Sequence, residues 1–152
     1  MVMTEVDTQR KDGSGKRGLS IDSYFSKESY APALVWGKRD VKTLDGRGKV
    51  VFEMKDIEAP ISYSDLAVKT IASKYLSKNK KANEKSTRQL DNRVVTTAAY
   101  ESARQGLIKP EYEDVFREEH RAMAERQISA WNSPVWFNQG LSHVYGIRRE
   151  KE

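Results

Sequence analysis

The chain has 152 residues, 38% of them hydrophobic and 32% charged, with a formal charge of +5 and a pI near 9.3. That length and mix allow one ordinary domain or part of a larger one, and no apolar run approaches the roughly 20 residues that cross a bilayer. Without cysteine the chain has no disulfide, thiolate metal site or thiyl radical of its own, and two histidines, His120 and His143, are too few for a His-rich metal centre. Residues 1–18 are charged and aperiodic and lack the apolar stretch of a secretory signal; they read as a disordered leader of a cytoplasmic protein.

From Leu34-Val35-Trp36 the chain becomes strand-prone. Val41–Leu44 and Lys49–Met54 flank Asp45-Gly46-Arg47-Gly48, a strong hairpin signal because glycine accepts the positive φ of a tight turn. Ala59-Pro60 ends the strands. Three helices follow. Ser64 caps the first, to about Leu76, with Leu66, Ala67, Ile71, Tyr75 and Leu76 on one side. The linker Ser77–Lys85 is rich in lysine and asparagine and reads as solvated loop. Ser86 and Gln89 open the second helix as a capping box, and Leu90, Val94 and Ala98 with Val95 and Ala99 form its apolar stripe. Gly106 stops it. The third runs from about Tyr112 to Ala130, with Val115, Phe116, Met123 and Ile128 as apolar contacts. These stripes read as packing surface rather than cofactor contacts.

The composition then changes at Trp131-Asn132-Ser133-Pro134-Val135-Trp136-Phe137-Asn138-Gln139-Gly140. Pro134 disfavours helix at Ser133, so the third helix should end near Ala130, with Val135-Trp136-Phe137 a short strand. On physical grounds two readings stay open. Ser133 makes a local turn bond while Trp131 and Phe137 fill a core, or its hydroxyl sits at a strand mouth and donates to a ligand phosphate.

The string Asn132 to Leu141 resembles a signature of vitamin B12-dependent (class II) ribonucleotide reductases, and Tyr145-Gly146-Ile147 continues the likeness. Leu34–Asp40, Val51–Pro60, Lys74-Tyr75-Leu76 and Arg88–Val95 resemble further family segments in the same order. The likeness spans about Ser20 to Ile147. It implies an α+β, mainly α-helical fold: an N-terminal β-hairpin, three helices, then the first strand of an incomplete α/β barrel. The implied division is a leader at 1–18, a hairpin and helical domain at 19–130 and the start of a catalytic barrel at 131–152.

The resemblance further implies reduction of ribonucleoside diphosphates to 2′-deoxyribonucleotides by a radical mechanism with adenosylcobalamin. It puts Ser133 beside the substrate, most simply at its phosphates, with Asn132 and Pro134 shaping the approach and Asn138 a weaker candidate. Trp131, Trp136 and Phe137 are packing, and His143 has no assigned role. The family's catalytic cysteines lie downstream of this motif. The expectation is therefore a truncated gene, a split subunit or an excised fragment, with no catalytic residue or metal ligand of its own, inactive alone and not binding cobalamin alone. Its partners are then a ribonucleotide and the remainder of the barrel, with no membrane. The alternative is a small basic nucleic-acid-binding module, suggested by the net charge and by Lys78–Lys85. Against it, the aromatic cluster is not interleaved with those lysines: Trp131 stands 46 residues beyond Lys85.

Overall fold

The computed structural model describes residues 18–30 and 33–148. Apart from Gly18, the expected leader lies outside the described residues, as does the charged tail after Arg148. Strand β1 (Trp36–Leu44) pairs antiparallel with β2 (Val50–Pro60), forming a two-stranded sheet. The turn forms where the Asp-Gly signal put it. Asp45 Oδ1 accepts from the amides of Arg47 and Lys49 at 2.8 and 2.9 Å, and Gly48 adopts φ +78°. The register slips by one residue between Arg39↔Ile57 and Val41↔Met54. At this bulge Asp56 takes a left-handed φ of +56°, and its amide donates to Asp40 Oδ1 at 2.9 Å.

Helix α1 (Asp65–Thr70) starts at Ser64, whose hydroxyl accepts from Ala67 N at 3.1 Å. It runs on into a π-helical turn, Ile71–Tyr75. The buried face is carried by Val68, Ala72 and Leu76, four residues apart, while Leu66, expected on that face, is 73% exposed. Helix α2 (Thr87–Arg104) has Ser86 as N-cap, though the expected box is shifted. Ser86 Oγ accepts from Arg88 N at 3.1 Å, and Gln89 Oε1 accepts from Lys85 N at 2.7 Å rather than from Ser86 N. Gly106 ends α2 at φ +73° in a Schellman motif, with Gly106 N donating to Ala103 O and Leu107 N to Ser102 O.

A 3₁₀ turn (Pro110–Tyr112) leads into α3 (Glu113–Glu125). This helix stops about one turn before the expected Ala130. A second Schellman motif closes it, with Gln127 at φ +56° and Ile128 N donating to Met123 O at 2.9 Å. A polar residue thus takes the left-handed position that sequence reading reserves for glycine. The N-terminal arm packs back on the helices through a parallel bridge between Leu19 and Ile108. Glu119 of α3 also anchors it, accepting from the amides of Phe25 and Ser26 at 2.8 and 3.0 Å and from the Ser26 hydroxyl.

The segment expected as a barrel strand is helical. Ser133–Asn138 form α4, followed by α5 (Leu141–Tyr145). Asn132 caps α4 with its side chain, and Pro134 falls in the first turn, where its missing N–H costs no hydrogen bond. The proline that argued for extended chain is therefore a helix starter, and no strand follows β2 among the described residues. One core joins these elements: Val41, Ile57 and Ala59 of the hairpin, Tyr63, Val68, Ala72 and Leu76, Leu90 and Val94 of α2, Ala124 of α3 and Trp136 of α4.

Candidate functional site

The expected site residues lie together at the start of α4, on the surface. Asn132 Oδ1 accepts from Val135 N at 3.3 Å, so this side chain is occupied as a cap. Ser133 is exposed, and its hydroxyl oxygen lies 3.1 Å from Tyr75 Oη. Pro134 is exposed, and its carbonyl accepts from Asn138 Nδ2 at 2.9 Å. Trp136 is buried, as expected of packing, whereas Phe137 is 43% exposed. Trp131 is half-buried and stacks at 5.6 Å on His120, which in turn stacks at 4.0 Å on Phe116. His143 stacks on Tyr100 at 4.6 Å.

Beneath this surface is a side chain that sequence reasoning passed over. Arg93 of α2 is fully buried, and every contact it makes fixes backbone or an acid. Its Nε donates to Glu84 Oε1 at 2.6 Å and its Nη2 to Glu84 Oε2 at 3.3 Å. Nη1 donates to Gln139 O at 2.6 Å, and Nη2 also reaches Trp136 O at 3.1 Å and Tyr75 O at 3.3 Å. Glu84 further accepts from Ser77 N at 2.7 Å and from the Tyr145 hydroxyl at 3.1 Å. Burial, and then the charge and hydrogen bond of Glu84, push the Tyr145 phenol up to about 12.

A buried pair costs less when its donors and acceptors are used, and here the Arg93–Glu84 pair ties together the π turn, the 77–85 loop, α4 and, through the Tyr145 hydroxyl on Glu84, α5. Gly140 completes the fit. It sits at φ +85°, and a Cβ there would lie 2.4 Å from Arg93 O. The available signal was a charged residue bordering an apolar stripe: Arg93 falls three residues after Leu90 and next to Val94. Glu84 was hidden in a lysine run read as solvated loop, yet it is 1% exposed.

Elsewhere, an open cleft of about 510 Å³ lies between the hairpin and the start of α2, lined by Lys38, Glu58, Lys85, Arg88 and Asn92 among others but by none of Asn132, Ser133 and Pro134. Among the described residues no trio of His, Cys, Asp or Glu is placed to hold a metal ion. Both histidines are engaged in ring stacks, and the chain has no cysteine.

Residues 38–80, from β1 into the 77–85 loop, match the family described as "Class II vitamin B12-dependent ribonucleotide reductase". The chain carries the N-terminal region of that family. A vitamin B12-dependent ribonucleotide reductase of Rhodopirellula baltica is 33% identical over 139 residues, covering 87% of this chain and 13% of the relative. Reductases of the same name from Streptomyces avermitilis and Streptomyces clavuligerus are 33% and 31% identical, over 86% and 88% of this chain and 14% of each relative. The chain thus spans about one seventh of the length of the reductases it matches. No helix among the described residues is long and apolar enough to cross a membrane.

Proposed function

We propose that this chain is the N-terminal part of a cytoplasmic ribonucleoside-diphosphate reductase and that Ser133, with Asn132 and Pro134, lines the approach of the nucleotide to the catalytic barrel. The observation that carries this reading is the Ser133 hydroxyl, presented at the surface by a capped helix start and partnered there by Tyr75 Oη at 3.1 Å. A hydroxyl held in this way can donate to a phosphoryl oxygen at little entropic cost. Asn132 sets the direction of α4, and Pro134 stiffens its first turn.

Adenosylcobalamin, held by other parts of the complete enzyme, supplies the radical chemistry when bound. The reacting cysteines and the barrel come from the rest of the reductase as well. In this reading the residues of the present chain bind and orient, and they are inactive without the remainder. The test is Ser133→Ala in the complete reductase. The KM for ADP should rise by about five- to tenfold, as expected for one lost hydrogen bond to a charged group. An unchanged KM would refute the substrate role.

A further inference from the structure

An exposed serine normally samples several rotamers, but Ser133 has a partner, Tyr75 Oη, at 3.1 Å. Tyr75 arrives there at the end of the π-helical turn, where Leu76 N reaches back to Ile71 O at 3.0 Å. Such wider turns are rare in helices and occur frequently at functional sites. The Tyr75 ring packs on Phe137 and Trp136, with centroids 5.3 and 6.2 Å away. Arg93 holds the backbone on both sides, donating from one Nη2 to Tyr75 O and to Trp136 O. One buried guanidinium thus holds the backbone of the π turn that carries Tyr75 and of the helix that carries Ser133.

We propose that Tyr75 is a positioning residue for Ser133: the phenol donates to Ser133 Oγ and turns the serine O–H outward, toward a phosphoryl oxygen of the nucleotide. The inference rests on the reading of Ser133 given above. A phenol is the more acidic of the two hydroxyls and so the better donor. A serine oxygen that accepts from Tyr75 keeps its single proton for the ligand, and donation along the chain polarises that proton further. A phosphate offers only acceptors, so this ordering is the one that suits it.

Tyr75→Phe keeps the ring against Trp136 and Phe137 and removes only the hydroxyl. In the complete reductase, equilibrium dialysis of ADP and steady-state kinetics should show Kd and KM raised about fivefold, with a smaller effect on kcat. Ser133→Ala should weaken ADP at least as much. The double variant should be no weaker than Ser133→Ala alone, because Tyr75 acts only through the serine. A silent Tyr75→Phe beside an impaired Ser133→Ala overturns this inference and leaves the substrate reading standing, as do losses that add in the double variant. A silent Ser133→Ala removes both.

Discussion

The two flanks of α2 treat buried charge in opposite ways. Toward α4 and α5, Arg93 is enclosed with Glu84, and each donates to or accepts from several partners. Toward α3, Asp91 is buried, but its Oδ2 has no hydrogen-bond partner among the described residues, and neither has Thr87 Oγ1 one turn earlier. Burial first, and then the charge of Glu125, push the Asp91 carboxyl well up from its ordinary range, against a smaller pull from Arg121. The same helix thus keeps one charge by saturating it and disfavours another by leaving it unsatisfied. The saturated flank is the one beneath the candidate site.

The sharpest way to break this contrast is Arg93→Met, which strands Glu84 in the core. It should cost roughly 3–5 kcal/mol of folding stability, read as a large drop in the urea midpoint, with α4 and α5 losing amide protection first. Gly140→Ala tests the same flank by shape. A methyl driven onto Arg93 O and Thr97 Oγ1 at φ +85° should cost about 2–3 kcal/mol by the same measurement.

On the other flank, Asp91→Asn should reverse the sign. Because the folded carboxyl titrates above its unfolded value of about 4, the stability associated with the protonated form is present below that pH and is lost as pH rises through the folded value. Urea unfolding between pH 4 and 8 should therefore show the native chain weakening over this window, and Asp91→Asn weakening less. A parallel pH slope in the variant would mean that Asp91 does not carry the effect.

The smallest effect is expected at Glu119. Burial pushes its carboxyl up, but the hydrogen bonds from Ser26 and from the Phe25 and Ser26 amides outweigh that and hold it below its usual range. The stability it lends is present above about pH 4.3 and is lost as pH falls through its folded value. Glu119→Gln should cost about 1 kcal/mol at neutral pH, flatten the acid limb, and speed exchange of the Phe25 and Ser26 amides.

Short-range chemistry made much of this fold legible. Asp45-Gly46-Arg47-Gly48, Ser64 and Gly106 each act within a few residues of themselves, through a turn or a cap, so their sequence neighbourhood is nearly their whole environment. The family likeness of the segments from Leu34 to Ile147 was likewise carried by local strings, and it is what nominated Ser133. The misreadings came where two local rules compete. Pro134 both disfavours helix before it and favours helix start after it, and the Asn132 cap decided between them. Likewise Gln127, a residue with little left-handed preference, ends α3 because two backbone hydrogen bonds hold it there.

The amino-acid order alone determined the hairpin, the starts of α1 and α2, the stop at Gly106, the apolar stripe of α2 and the kinship with class II reductases, because each is encoded in neighbours along the chain. Only the tertiary structure decided that Arg93 and Glu84 meet in the core, that Tyr75 faces Ser133 across 58 residues, and that residues 133–138 coil rather than extend. Those outcomes depend on which distant groups share a low-dielectric interior, where an unpaired charge costs several kcal/mol and a paired one organises everything that touches it.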